Sequence, residues 1–235
     1  MMYPLMLVCG AVLLFVYIRE KIQAYSVKAV ILKSSVSVLF IAVGVYGSWL
    51  SAAKGTGSLL CPFVVLGLLC GLLGDIWLDL KYVFPEKDEP FTYAGFCAFG
   101  IGHILYISGM LLSYYPSGRP VAVIVPVLLA VLMSVGNAVL EKPMKLSYGR
   151  MRSVVLIYGF CLFSTVFVSG LLWLEHREPT LCFVFIGSIL FAISDLILSG
   201  TFFGSGKDRP IDIISNYLFY YSGQFLIAYS LVLLK

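Results

Sequence analysis

Two aspartates end long apolar stretches of the sequence. Asp75 follows a run that begins at Leu59, and Asp195 follows a run that begins at Thr180; both runs contain only apolar or small residues. An ionised carboxylate within a lipid bilayer costs a few kcal/mol unless it is paired or hydrated, so each aspartate marks a candidate functional site. Two carboxyl groups in one low-dielectric cavity can act as acid and base, because their surroundings can hold one protonated and the other ionised.

Five other polar residues lie inside apolar segments. Counting about 1.5 Å of rise per helical residue puts all five in the same half of the membrane as the two aspartates, which predicts one polar cavity open to one leaflet. Each also has a structural explanation: a lysine can reach the headgroups, and histidine, tyrosine and glutamine can link neighbouring helices. These residues are Lys33, His103, Tyr220, Tyr221 and Gln224.

Two further polar residues are predicted to have structural roles. Asp79 comes one turn after Asp75, and we expect it at the water-facing rim of the membrane rather than in the cavity. Asn137 is expected to link helices, as amides within lipid often do.

The composition predicts an all-α, polytopic transmembrane bundle. Of the 235 residues, 60% are hydrophobic and 12% are charged, whereas soluble domains have about 25% charged residues. The apolar runs are continuous rather than alternating, which argues against a membrane barrel. The net charge of +4 forms no basic patch, so no nucleic-acid partner is expected. Six cysteines without a CxxC pair and only two histidines predict no disulfide framework, metal or other cofactor.

The apolar runs predict eight membrane helices in a single domain over residues 1–235. The first run has no basic start and no small-residue cleavage site, so it is interpreted as a membrane helix rather than a signal peptide. The predicted helices cover residues 2–18, 27–50, 59–80, 91–113, 121–140, 153–174, 180–203 and 211–234.

The distribution of lysine and arginine predicts the orientation. Eleven of these residues flank the odd-numbered connections and four lie on the other side, so the odd-numbered connections are expected in the cytoplasm. The eleven are Arg19, Lys21, Lys28, Lys81, Lys87, Lys142, Lys145, Arg150, Arg152, Lys207 and Arg209, and the four are Lys54, Arg119, Arg177 and Lys235.

Glycines recur along one side of the third and fourth predicted helices. Gly67, Gly71 and Gly74 lie on the third, and Gly95 and Gly102 on the fourth. Small residues let helix backbones approach closely in lipid, so these two helices are expected to pack together. This packing would bring Asp75 near His103.

Four segments together resemble the YhhN family of integral membrane proteins, whose characterised members are lysoplasmalogenases. The segments run from Gly67 to Asp75, from Gly95 to Tyr106, from Gly187 to Asp195 and from Tyr220 to Gln224, in the family's order. The helix count agrees as well. Lys33 matches a family lysine, although Ser34 replaces the usual proline, and Gly223 stands where the family often has alanine.

The resemblance implies a hydrolase that cleaves the vinyl ether bond of lysoplasmalogens, with a lysophospholipid substrate and the lipid bilayer as its partners. It implies catalytic roles for Asp75, Asp195 and His103 and substrate-binding roles for Lys33, Tyr220, Tyr221 and Gln224. The implied membrane is the plasma membrane in a bacterium or the endoplasmic reticulum in a eukaryote, with the site towards the cytoplasmic leaflet. Oligomeric state is left open.

Other functions use similar residues. Intramembrane carboxylates and a histidine also serve proton-coupled transporters, but the sequence has no evident inverted repeat. A membrane protein that only binds lipid is a further alternative. Intramembrane aspartyl proteases pair two aspartates, but here Asp75 follows Gly74 and Asp195 follows Ser194, where those enzymes have a tyrosine before one aspartate.

Overall fold

The part of the chain that the structure describes folds into eight α-helices. The computed structural model describes residues 2–23, 26–115, 117–118, 120–204 and 209–234, and within these ranges it contains no β-strand. Short 3-10 helices cover Pro85–Lys87, Gly149–Met151 and Leu231–Leu233. The α-helices are α1 (Met2–Gln23), α2 (Val27–Ala53), α3 (Leu60–Val83), α4 (Asp88–Tyr114), α5 (Pro120–Val139), α6 (Arg152–His176), α7 (Pro179–Phe203) and α8 (Pro210–Ser230).

The helices suit a lipid environment. Helices satisfy their own backbone hydrogen bonds, which lipid cannot do for them. Six helical segments are long and apolar enough to cross a membrane, so the chain is a multi-pass membrane protein. These segments are Val27–Ala53, Leu60–Val83, Pro85–Tyr114, Ala122–Val139, Gly149–His176 and Pro179–Phe203.

Local sequence signals set several helix ends. The Ser26 hydroxyl accepts a hydrogen bond from the Ala29 amide at 3.2 Å and caps the start of α2. Proline begins α7 and α8, where its missing N–H costs nothing. Arg177 adopts a left-handed conformation with φ of 57° and ends α6.

The prediction of an all-α fold is confirmed, because the described residues form helices and no β-strand.

Helix α1 is longer than predicted. The sequence predicted an end at Ile18, because Arg19, Glu20 and Lys21 follow it, but the helix continues to Gln23. Charged residues do not break a helix, and Lys21 finds a buried partner on α3. The extra turn therefore carries Lys21 into the bundle.

Most of the packing is between helices that follow one another in the chain and run antiparallel. α3 packs most extensively against α4, and α7 against α8, while α2 contacts both α3 and α8. α5 lies at the edge and packs against α6. Its outer face exposes Val125, Leu128 and Leu132 by 61%, 62% and 67%, as expected for a surface that faces lipid.

Glycines allow close helix crossings at α3–α4 and at α7–α8. On α3, a Cβ at Gly67 would collide with the ring of Tyr106 on α4, as the sequence predicted for this pair of helices. On α7, a Cβ at Gly187 would lie 2.8 Å from the carbonyl oxygen of Gly223 on α8. Because the second contact involves backbone, it fixes the separation of α7 and α8.

Candidate active site

Asp75 lies in a cage of hydrogen-bond donors. Its side chain is 2% exposed, and its Oδ1 lies 3.3 Å from the Lys33 ammonium nitrogen. Its Oδ2 accepts hydrogen bonds from the Ser37 hydroxyl at 2.6 Å and the Tyr220 hydroxyl at 2.8 Å. The nearby cation and the two hydrogen-bond donors offset the free-energy cost of burying this carboxylate.

The prediction that Asp79 lies at the water-facing rim is wrong. Its side chain is 2% exposed, and its Oδ1 accepts hydrogen bonds from Lys21 at 2.9 Å and Lys33 at 3.2 Å. The Tyr17 hydroxyl donates to Oδ2 at 3.1 Å. Residues four apart share a helix face, so the turn that directs Asp75 inward also directs Asp79 inward.

Lys33 joins the two carboxylates. It is 4% exposed, and its ammonium group lies within 3.3 Å of oxygens on both Asp75 and Asp79. It does not extend to the headgroups, which was the structural alternative for this residue. Two lysines and two aspartates thus form one buried ion cluster.

The cluster is built from pairs of residues spaced one turn apart. Such pairs present two side chains on one face of each helix. α1 supplies Tyr17 and Lys21, α2 supplies Lys33 and Ser37, α3 supplies Asp75 and Asp79, and α8 supplies Tyr220 and Gln224.

Tyr221 and Gln224 form hydrogen bonds with residues that contact the carboxylates, rather than with the carboxylates themselves. The Tyr221 hydroxyl donates to the Lys33 carbonyl at 3.2 Å. The Gln224 amide nitrogen donates to the Tyr220 hydroxyl at 3.3 Å, and its oxygen accepts from the Tyr106 hydroxyl at 3.2 Å. Neither Tyr221 nor Gln224 borders the cavity beside Asp75, whereas Tyr220 and Lys33 do.

Asp195 has different surroundings. The hydroxyl of Tyr158 on α6 donates a hydrogen bond to its Oδ2. Among the described residues it forms no ion pair. Its neighbour Ser194 accepts hydrogen bonds from the Asn216 amide, at 2.7 Å to the carbonyl oxygen and 3.3 Å to the hydroxyl, which ties this part of α7 to α8.

One cavity connects Asp75 and Asp195. Its volume is about 30 Å³, which holds about two water molecules. We call it the aspartate cavity. It is lined by Lys33, Asp75, Leu78, Asp79, Tyr82, Phe96, Phe99, Tyr158, Ser194, Asp195, Leu198, Phe202, Asn216, Tyr217 and Tyr220.

A second cavity of about 40 Å³ adjoins the first. Asp195 and Tyr158 border both, so this pair stands between them. The second cavity extends among α5, α6 and α7 as far as Asn137. Asn137 accepts a hydrogen bond from the Tyr148 hydroxyl at 3.3 Å, which ties it to the α5–α6 connection, whereas the sequence predicted a link to another helix.

His103 is buried among aromatic rings rather than exposed in the aspartate cavity. It is 1% exposed, and its ring centroid lies 4.9 Å from that of Phe191 and 5.9 Å from that of Tyr158. The Thr165 hydroxyl donates to the Cys161 carbonyl at 3.1 Å, so it accepts from Nδ1–H of His103, also at 3.1 Å. Nε2 of a neutral His103 is then a buried acceptor without a described partner.

The described residues contain no group of three or more histidine, cysteine or acidic side chains that could hold a metal ion. The cysteines at positions 9, 61, 70, 97, 161 and 182 are unpaired. The arrangement is therefore one of carboxyl, hydroxyl and ammonium groups, which can transfer protons and stabilise charge.

The sequence-based candidates omitted several residues of this site. Tyr17, Lys21, Ser37 and Tyr158 all contact an aspartate, yet none lay in an unusual sequence context. The usable signal was spacing: Lys21 lies one turn after Tyr17, and Ser37 one turn after Lys33.

Comparison with known proteins places the chain in a family. Residues 28–231 match the model of the YhhN family, a range that begins after α1 and includes all four segments that resemble it. No curated protein and no solved structure matches the chain. Because the family match covers most of the chain, this protein belongs to the YhhN family.

Proposed function

We propose that this protein hydrolyses the vinyl ether bond of lysoplasmalogens and releases a fatty aldehyde and glycerophospho-ethanolamine or glycerophospho-choline. The observation that carries the proposal is that Asp75 and Asp195 border one cavity, and that Asp75 has a cationic partner there whereas Asp195 has none among the described residues. Asp75 faces Lys33 and two hydroxyl donors, which favour an ionised carboxylate. Asp195 forms no ion pair among the described residues and has a single described hydroxyl donor, so its charged form has less support than that of Asp75 and we assign it as the acid.

The reaction begins with protonation of carbon. Asp195 gives its proton to the β-carbon of the double bond, and positive charge develops on the α-carbon and the ether oxygen. The Asp75 carboxylate stabilises this cation, as carboxylates do in glycoside hydrolysis. Water then attacks the α-carbon and loses a proton to Asp75, which produces a hemiacetal.

Collapse of the hemiacetal restores both aspartates. The hemiacetal hydroxyl returns a proton to Asp195 as the aldehyde forms, and Asp75 gives its proton to the departing glycerol oxygen. One water molecule is consumed and no redox step occurs. The volume of the aspartate cavity is sufficient for that water, whereas the substrate requires the cavity to open.

The remaining site residues receive supporting roles in this proposal. Tyr220 borders the cavity and can orient a substrate oxygen while it holds Asp75. Lys33 is engaged by two carboxylates, so we assign it to keeping Asp75 ionised rather than to binding phosphate. Tyr221 and Gln224 position Lys33 and Tyr220. A catalytic role for His103 stays a prediction from the sequence.

Lys81 is a better candidate for the substrate phosphate. It lies near the end of α3, 3.6 Å from the centre of the Phe202 ring that helps line the aspartate cavity. Its ammonium group pairs with Asp88 at 3.2 Å on the exposed side. A headgroup bound there would leave the glycerol directed towards the cavity.

Aldehyde release by purified protein tests the function. In detergent with 1-alkenyl-lysophospholipid, we expect aldehyde production by the unmodified protein, and a loss of roughly 10²–10⁴-fold for Asp195→Asn or Asp75→Asn. Glu86→Gln removes an exposed carboxylate outside the site and should retain full activity.

Controls separate the alternatives. Each variant should keep its elution volume, and Asp195→Asn and Glu86→Gln should also keep the thermal unfolding profile, so that loss of activity reports on chemistry. Asp75→Asn removes one partner of the buried ion cluster and should unfold at a lower temperature, so its activity is measured well below that temperature. Full activity in both aspartate variants would remove the catalytic assignment. Uptake of lysolipid into proteoliposomes without aldehyde release would instead favour the transporter.

A further inference from the structure

An apolar groove lies between α4 and α6. It has a volume of about 270 Å³ and an apolar wall, made by five residues of α4 between positions 96 and 104 and four of α6 between positions 154 and 161. We call it the α4–α6 groove. The step of eight positions along α4 from Phe96 to Ile104 corresponds to a groove length of about 12 Å.

The groove adjoins the aspartate cavity across two shared side chains. Phe96 and Tyr158 line both spaces, and their ring centroids lie 5.1 Å apart. Tyr158 thus borders the groove, while its hydroxyl bonds Asp195. Hydrocarbon bound in the groove would therefore contact the tyrosine that bonds the carboxyl group we assign as the acid.

We propose that the α4–α6 groove binds the hydrocarbon chain of the lipid substrate and that Gly100 and Ile104 determine which chain lengths are accepted. This inference rests on the proposed function and names the part of the protein that recognises the chain. A lysolipid has one chain and one polar head, which matches one apolar groove beside one polar cavity. A diacyl lipid would need a second groove for its other chain.

Gly100 provides space for the chain. A Cβ added there would meet only Tyr158 within 4 Å, at 3.9 Å, so the position is open rather than tightly packed. Ile104, one turn further along α4, is 52% exposed and lines the end of the groove away from Phe96. Larger side chains at these positions would fill the groove without moving the helix backbones.

The first experiment compares chain lengths. For Gly100→Leu we expect kcat/KM for a long-chain 1-alkenyl-lysophospholipid to fall about tenfold relative to a short-chain one, which corresponds to about 1.4 kcal/mol. Ile104→Phe should shift the preference in the same direction and serves if Gly100→Leu folds poorly. Gly136→Leu on α5 makes the same change at a glycine with no atom within 4 Å, and its preference should equal that of the unmodified protein.

The second experiment measures binding without turnover. A lysolipid with a photoreactive group at the end of its chain should label peptides that contain residues 97–104 and 154–161. Unlabelled lysolipid should compete, and Gly100→Leu should reduce the labelling severalfold while Gly136→Leu does not.

The two readouts separate failure of the groove from failure of the reaction. Labelling of the groove without aldehyde release would support chain binding and overturn the proposed function. Aldehyde release with an unchanged chain-length preference in both groove variants would overturn the groove proposal. Equal competition by diacyl phospholipid would also overturn it, because the groove would then hold ordinary bilayer lipid.

Discussion

At the scale of single residues, the most consequential feature is the buried ion cluster around Asp79. Lys21 and Lys33 both donate to its Oδ1, and Asp75 supplies the second negative charge. Removing one partner of a buried ion pair leaves an uncompensated charge and costs about 3–5 kcal/mol, whereas removing both partners can be nearly neutral. The cluster therefore stabilises the fold only as a balanced set.

This balance gives a prediction for paired variants. Asp79→Asn should markedly lower the thermal unfolding temperature in detergent, because Lys21 and Lys33 both lose a carboxylate partner. Asp79→Asn combined with Lys21→Met restores the charge count and should recover a large part of the loss, as measured by tryptophan fluorescence during heating. If the double variant unfolds at or below the temperature of Asp79→Asn, the two residues do not stabilise the protein as a pair.

At the scale of helices, the crossing of α7 and α8 positions Asp195 relative to Tyr220. A Cβ at Gly187 would lie 2.8 Å from the Gly223 carbonyl oxygen, which is too close for ordinary contact. Gly187→Ala should therefore separate the helices and destabilise the protein by about 1–3 kcal/mol, with loss of aldehyde release as well.

Gly136→Ala is the matched comparison for this helix crossing. It lies within α5, and a Cβ there would meet no atom within 4 Å. Because alanine favours a helix over glycine by about 0.5–1 kcal/mol, this variant should be as stable as the unmodified protein or slightly more so. Equal unfolding temperatures for the Gly187 and Gly136 variants would show that the α7–α8 crossing tolerates a methyl group.

The helices also show what a single sequence can predict. Asp75, Asp195 and Lys33 were evident because charged residues are conspicuous in apolar runs. Asp79 and Lys21 were misjudged because both lie near predicted helix ends, where charges usually face water. Their pairing joins residues 58 positions apart, and only the packing of α1 on the bundle brings them together. Tyr158 was missed because it is one of 15 tyrosines and has no distinctive neighbours.

At the scale of the whole molecule, the aspartate cavity lies towards one end of the bundle. Lys21 is near the end of α1, Lys33 is near the start of α2 and Asp79 is near the end of α3. The connections at this end contain most of the lysine and arginine residues. Since such residues favour the cytoplasmic side, we expect the cavity to open towards the cytoplasmic leaflet.

Cysteine labelling can test this orientation. With all six native cysteines replaced by alanine, Lys54→Cys and Lys142→Cys each remove one lysine from an exposed position, at opposite ends of the bundle. In intact bacterial cells that express the protein, an impermeant maleimide should label Lys54→Cys at once and Lys142→Cys only after permeabilisation. Lys142 lies on the α5–α6 connection, which joins the end of α7 through the Ser147 amide and the Phe203 carbonyl at 2.8 Å, so its accessibility reports on the end that contains the site. The opposite labelling pattern would place the aspartate cavity beside the outer leaflet, and the proposed reaction would then use lysolipid supplied from outside the cell.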